Sequence, residues 1–329
     1  MSNRIDFYQS QQASLAQPAA CVSVQLDGRP CPCLEVKEVV RGGRYEFGWA
    51  KLLYNAAAYP DGQLKDTEQI AAQLETGREI RIGRFYNEQF PAARALTIPI
   101  FAGKIAQVEM TIDEEGERIE VTARDFSADM EQITIDQDSA ELSEMTYAKA
   151  IHYLLSEYVG QGRLGMPSLS KLKALTSLEK CDGLNVTGLN LTQAISRLSQ
   201  AAGIEFKFVP RLCETGPRQA IYFYRLGFGP IVELNCQRKG QQINTSNSNI
   251  ARLTRVREAA DDGQITEACE VQTLYLEFDY QLGDIVTSSP QSRDLFGIRN
   301  DKRSVCWIER VQMDFDNQCT ELEIRKQRI

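Results

Sequence analysis

Ile105-x-x-Val108-x-Met110-x-Ile112-Asp113 decides how this chain is read, because the same pattern returns as Ile308-x-x-Val311-x-Met313-x-Phe315-Asp316. Side chains alternate across a strand, so apolar residues two apart share a face and each series reads as a β-strand. Both copies break the alternation at the same point, Ile-x-x-Val, before resuming as Val-x-Met or Val-x-Met-x-Phe. One extra residue in a period-two strand is what a β-bulge looks like in sequence. A return strand follows each turn: Glu120-Val121-Thr122-Ala123-Arg124 answers Glu321-Leu322-Glu323-Ile324-Arg325. The second turn is shorter, a change that a hairpin tip accommodates. Ahead of the hairpins, Gly77-Arg78-Glu79-Ile80 and Gly283-Asp284-Ile285 both set a glycine and an acidic residue before an apolar strand. A shared irregularity argues for duplication more strongly than shared alternation does.

Outward from the first copy, Val22, Val24 and Leu26 alternate before the turn Asp27-Gly28-Arg29-Pro30. Leu34, Val36, Val39 and Val40 continue the strand pattern. A short helix is expected over 67–75, with Asp66 as N-cap, Ile70 and Leu74 inward and Gly77 as its stop. Between the copies the pattern turns helical. Ala148, Ile151, Leu155 and Tyr158 fall on one face of a helix over 146–158, and Ile195 and Leu198 lie inward on a helix over 191–202 that Gly203 ends. Strand patterns resume from Tyr222, including Ile231–Leu234, Ala251–Arg257 and Val271–Phe278. The expected fold is mainly β with an α+β insert: two related antiparallel β-barrel-like domains separated by a small, mainly helical domain. The boundaries read as a flexible arm at 1–20, a first β domain at 21–135, the insert at 136–220 and a second β domain at 221–329.

The 329 residues carry 37 Lys+Arg against 45 Asp+Glu, a net charge of -8, which argues against a chain whose main task is gripping nucleic-acid phosphates. No run of about 18 apolar residues exists to span a membrane, and the Gln/Ala/Ser-rich start shows no secretory h-region, so the default address is cytosolic. Nine cysteines, an odd number without an export signal, argue against a disulfide framework. Cys31-Pro32-Cys33 is the one close pair and has no second pair at zinc-ribbon spacing. His152, the only histidine, sits beside the apolar stripe of a helix. That removes multi-histidine metal sites and leaves triad chemistry without a second candidate. Five acidic residues between Asp113 and Glu120 read as a solvated hairpin tip. Gly227-Phe228-Gly229 lacks the Lys and the following helix of a phosphate loop. No catalytic residue, cofactor or metal is nominated.

The run Ile100-Phe101-Ala102-Gly103-Lys104-Ile105, then Val108, then Ile119-Glu120-Val121-Thr122-Ala123-Arg124-Asp125 resembles the F-x-G-x-I…V…L-x-V-x-A-x-D stretch of phage tail hub proteins. These are the late-control protein D group, contractile-tail baseplate hubs and the hub part of type VI secretion spikes (VgrG). The helix, glycine and short strand from Leu189 to Phe208, together with Gly283-Asp284-Ile285 and the hairpin from Trp307 to Arg325, are similar to further segments of that family. The resemblance implies a homotrimeric ring of pseudo-sixfold outline joining the tail tube to a central spike. It further implies a conduit for tape-measure protein and DNA without specific binding, contacts with other baseplate proteins, and a place in the virion tail or baseplate after assembly in the host cytoplasm. An acidic chain suits such a conduit, since a negative lumen does not trap phosphates. The chain ends four residues after Arg325, so any spike or lysozyme part is expected on a separate protein.

Subunit contacts are expected on the 1–20 arm and on the polar faces of the two hairpins: Gln107, Glu109 and Thr111 in the first copy, Arg310, Gln312 and Asp314 in the second. The same polar alternation is equally what a solvent-facing strand shows. The competing readings are a stand-alone hub of a type VI-like contractile secretion device or tail-like particle, a carboxylate-dependent glycan or cell-wall hydrolase of the tail, and an exported carbohydrate-binding or adhesin module.

Overall fold

A computed structural model of the chain describes residues 22–42, 47–55, 71–85, 97–113, 116–136, 139–159, 164–210, 219–235, 249–259, 265–288, 296–297 and 304–328. The expected arm at 1–20, Asp66 and Ile70 lie outside the described residues. Residues 71–73 are helical, and Gly77 behind them takes φ +88°, the left-handed stop that glycine adopts without a Cβ penalty.

The first run of strands is β1 (Val22–Leu26), β2 (Arg29–Pro30), β3 (Leu34–Arg41), β4 (Trp49–Tyr54), β5 (Glu79–Phe85), β6 (Thr97–Asp113) and β7 (Gly116–Asp125). The turn from β1 to β2 has Asp27 at φ 48° and Gly28 at φ 80°, matching the twist of a two-residue hairpin. The second run is β11 (Ile231–Glu233), β12 (Ile250–Ala259), β13 (Ile265–Thr273), β14 (Ile285–Thr287), β15 (Ser304–Asp314) and β16 (Cys319–Arg328). Their lateral orders match: β3-β4-β7-β6-β5-β1 in the first and β12-β13-β16-β15-β14-β11 in the second. Pairing is antiparallel except between β11 and β14, which run parallel where β1 and β5 are antiparallel.

The bulge read from the sequence is present twice. The β6–β7 register shifts between Ile105 and Gln107, and the β15–β16 register shifts between Ile308 and Arg310. The preceding glycines are equivalent as well. Gly77 N donates to Ile105 O at 2.8 Å while Ile105 N donates to Arg78 O at 2.8 Å. Gly283 N donates to Ile308 O at 2.8 Å while Ile308 N donates to Asp284 O at 2.9 Å.

The two runs join edge to edge. β15 pairs with β3, Val311 opposite Arg41 through Asp314 opposite Glu38, giving one sheet of 13 strands. One lateral row of its inner face, Ile105, Ala123, Ala50, Val39 and Met313, is fully buried in a hydrophobic cluster that spans both runs. Each such Ile or Met contributes about 1.5–3 kcal/mol through apolar area removed from water. No ladder among the described residues closes either run into a barrel. In the second run Asn249 draws the ends together: its N donates to Asn235 O at 3.0 Å and its side-chain oxygen accepts Asn235 N at 2.7 Å.

Between the runs lie α1 (Ala128–Glu131), α2 (Ser139–Ser143), α3 (Tyr147–Tyr158), β8 (Leu164–Gly165), α4 (Leu169–Leu175), α5 (Leu191–Ala201), β9 (Glu205–Pro210) and β10 (Gln219–Tyr224). Asn190 caps α5 in a reciprocal capping box with Gln193, and Gly203 follows at φ +67°. The second hydrophobic cluster is built here from Ile151, Leu154, Ile195, Leu198 and Phe223, and takes in Phe126, Met130 and Ile135 directly after β7.

One expected strand ends early. The alternation from Val271 to Phe278 predicts a continuous strand, but the ladder stops at Thr273. Beyond it, side chains replace the neighbouring backbone. Thr320 Oγ1 accepts Glu277 N at 2.8 Å and donates to Glu277 O at 3.0 Å, and Arg41 takes the carbonyls of Phe278 and Tyr280. Leu276, Phe278 and Tyr280 keep the alternation and are buried.

Candidate assembly surfaces

All six polar residues singled out from the sequence lie on one face of the large sheet. Gln107, Thr122, Lys51, Glu38 and Asp314 stand opposite one another in succession across β6, β7, β4, β3 and β15. Glu109 faces Glu120, Thr111 faces Arg118, Arg310 faces Glu323 and Gln312 faces Glu321. The two sets differ in surroundings. Gln107, Glu109 and Thr111 are exposed, whereas Arg310, Gln312 and Asp314 are half-buried beside β3 of the same chain. Around Arg310 the same face forms a groove of about 330 Å³ lined by Arg252, Glu270, Gln272, Glu321 and Glu323.

The β15–β3 seam is sealed on both faces. On the outer face Lys37 Nζ reaches Asp316 at 3.0 Å and Glu35 at 3.2 Å. Partial burial pushes the Glu38 carboxyl up, with Lys51 opposing and Asp314 adding to the rise. On the inner face the buried Arg41 donates to Tyr280 O and, at 3.2 Å, to Phe278 O. Burial lowers its pKa to about 10, with Asp279 and Asp284 opposing that shift.

The insert is latched to both runs. Asp125 at the end of β7 is buried and accepts Gly48 N at 3.0 Å, Ser127 N at 3.1 Å and Gln219 Nε2 at 3.1 Å, while Gln219 Oε1 accepts Phe126 N at 3.1 Å. Burial raises the carboxyl to about 6, against the pull of those donors. Lys207 on β9 donates to Leu282 O in the second run, and burial lowers its ammonium to about 8.

β6 and β15 diverge beyond their bulges. Past Ile105, β6 has β7 on one side and no described strand on the other, whereas β15 has β3. Met110 is therefore 38% exposed and Ile112 66%, while their counterparts Met313 and Phe315 are 0% and 8% exposed. The sequence places all four on the apolar face and carries no signal for which hairpin has a neighbour. Cys31 and Cys33 bring their Sγ atoms to 3.5 Å, and His152 is half-buried, its Nδ1 3.4 Å from Ser156 Oγ. Among the described residues no group of three His, Cys, Asp or Glu side chains could hold a metal ion, and no helix is long and apolar enough to cross a membrane.

No protein-family model matches the sequence, and no curated protein matches it. Solved structures do match. A tail protein from Neisseria meningitidis MC58 superposes with a TM-score of 0.56 at 10% identity, covering 93% of this chain and 96% of that one. The 43 kDa tail protein of prophage MuSo2 from Shewanella oneidensis gives 0.52 at 9% identity, covering 92% and 96%. An E. coli component of the type VI secretion system, described as structurally similar to bacteriophage T4 tail proteins, gives 0.50 at 13% identity, covering 93% and 76%. The chain thus has the fold of phage tail proteins. That fold extends to the type VI component too, and at these identities what is shared is backbone architecture.

Proposed function

We propose that this chain is a structural hub of a phage tail or baseplate: a homotrimer whose duplicated β units form a ring of six like positions between tail tube and spike, leaving a conduit for tape-measure protein and DNA. The observation that carries this reading is the repeated lateral order of strands, β3-β4-β7-β6-β5-β1 and β12-β13-β16-β15-β14-β11, in one chain with the fold of phage tail proteins. Two like units per chain are what three chains need to present six equivalent sites to a sixfold neighbour. The likeness to a type VI secretion component supports the same role in a contractile secretion device as the second reading. The same neighbours support a structural rather than enzymatic role. For domain limits we propose β units at 22–125 and 225–328 with the insert between them, because Phe126, Met130, Ile135 and β10 pack with the helices.

Sedimentation and electron microscopy of the purified chain test this. Three copies in a ring with six lobes is the expected result. A monomer that cleaves a cell-wall or capsular glycan would replace the hub with a tail hydrolase.

A further inference from the structure

The chain passes from β2 into β3 through the turn Cys31-Pro32-Cys33-Leu34, closed by Leu34 N donating to Cys31 O at 3.2 Å. Proline at the second position of such a turn holds φ at about −65°. Cys33 at the third has no positive φ, as a type I turn requires. The turn is pinned on both flanks: Cys31 N donates to Val24 O at 2.8 Å, and Asn55 N donates to Cys33 O at 2.7 Å. Held this way, the two side chains bring their Sγ atoms to 3.5 Å. We propose that Cys31 and Cys33 form a thiol–disulfide exchange site, which takes a low-molecular-weight disulfide of the glutathione class and closes reversibly into an intrachain bridge.

The bridge is within reach of the turn as it stands. Residues two apart lie at most about 7 Å between Cα atoms when extended and closer in a turn, while a disulfide spans about 4.4–6.8 Å. The remaining approach, from 3.5 Å between sulfurs to about 2.0 Å, falls to the side-chain torsions. A ring this small is strained, and strained bridges are the readily reduced ones, so the site cycles rather than staples. The two sulfurs differ in access, Cys31 being half-buried and Cys33 buried. The hydrogen bond to Cys33 and burial push the Cys31 thiol up, with the Arg78 guanidinium opposing. A proton shared between two sulfurs lets the pair ionise once far more readily than twice. One thiolate at a time is what exchange needs.

The exchange starts at Cys31, the more accessible sulfur, with the shared proton left on Cys33. The Cys31 thiolate attacks one sulfur of the small disulfide, forming a mixed disulfide and releasing one small thiolate. Cys33 then gives up its proton and attacks Cys31 Sγ, forming the Sγ–Sγ bond and releasing the second small thiolate. The dithiol loses two electrons, the small disulfide gains them, and the two thiol protons pass to the released thiolates. An odd cysteine count without an export signal argues against permanent bridges, not against a reversible one. On the hub reading above, the chain would fold with this dithiol reduced and meet an oxidising medium when the particle leaves its host, but the site stands without that reading.

Peptide mapping of the full chain tests this. The reduced protein is equilibrated with glutathione and glutathione disulfide in stepped ratios, quenched with acid, then unfolded, alkylated and digested. The peptide holding Cys31 and Cys33 should lose two hydrogens and escape alkylation, while the buried Cys181 and Cys306 are alkylated as thiols. The closure constant should be at least tenfold larger in the native chain than in the chain unfolded in urea, a potential about 30 mV lower. Cys33→Ser should stop at a glutathione adduct on Cys31, and Pro32→Gly should lower the closure constant towards the unfolded value, both with native circular dichroism. Equal closure constants in the native and unfolded parent chain overturn the site, since adjacency in sequence would then account for the bridge, and this comparison needs no variant. Two separate glutathione adducts without a bridge overturn it as well, as does a native chain whose Cys31 and Cys33 both stay thiols in glutathione disulfide alone. Each of these results leaves the hub reading standing.

Discussion

Arg41 on β3 reaches across the seam between the two β units and donates to the carbonyl of Phe278 at 3.2 Å and to that of Tyr280. One planar guanidinium thus satisfies two backbone acceptors in the segment where the β13 ladder has stopped. Replacing it with Met should lower unfolding stability by about 3 kcal/mol, since hydrogen bonds from a charged donor contribute about 1.5–3 kcal/mol each and the carbonyls are left buried. Lys should restore only part, because an ammonium lacks the fork geometry. Urea midpoints of the three proteins check the order.

Asp125 makes stability depend on pH in a defined direction. Its folded pKa of about 6 lies above the ordinary value of 3.8, so the folded state keeps the proton longer than the unfolded chain does. The contribution is fully present below about pH 3.8 and is lost as pH rises through about 6. Its ceiling is on the order of 3 kcal/mol, at about 1.4 kcal/mol per pKa unit. Asp125→Asn should remove this slope between pH 4 and 6. It should also lower stability at pH 7, because an amide nitrogen would then confront the donors Gly48 N or Ser127 N. Denaturant titrations at several pH values, compared with the parent chain, read both effects.

The paired glycines ahead of the hairpins should respond unequally to alanine. Gly77 and Gly283 both have positive φ, at +88° and +79°. A Cβ on Gly77 meets nothing within 4 Å, so the cost is that of the left-handed backbone, about 1 kcal/mol. At Gly283 the added carbon would stand 2.3 Å from the Tyr224 ring, bringing the total to about 2–4 kcal/mol. Thermal unfolding of the two variants should rank them in that order.

Met110 and Met313 form a matched pair with opposite tolerance. On the dissociated chain, Met110→Glu should change stability by less than about 0.5 kcal/mol, as exposed substitutions do. Met313→Glu would bury an unpaired carboxylate at a fully enclosed position and should cost about 4 kcal/mol or more. Equal effects of the two would mean that the hairpins share one environment.

Local irregularities were the legible part of this fold. The break at Ile105 and Ile308 shows in sequence because a bulge changes the spacing of neighbouring residues. Gly77, Gly203 and Gly283 show because a left-handed backbone selects their residue type. The capping box of α5 at Asn190 and Gln193 is a local signal that the sequence reading passed over. What stayed hidden depends on partners far along the chain. Nothing near Arg41 announces the carbonyls of residues 278 and 280, and nothing near Asp125 announces Gln219. The exposure of Met110 against the burial of Met313 is decided by whether β3 lies alongside. The end of β13 at Thr273 is set by Thr320, which occupies the place of a neighbouring strand.

The twin bulges also bear on how this chain can be traced. The skipped rung of the ladder stands at the same point in both halves, between Ile105 and Gln107 and between Ile308 and Arg310. Losing such a fault would flip every later side chain of the strand to the opposite face, so selection removes slips far more harshly than it removes exchanges of one apolar residue for another. The common origin of the two halves is thus written where the backbone departs from regularity, at Ile105 and at Ile308.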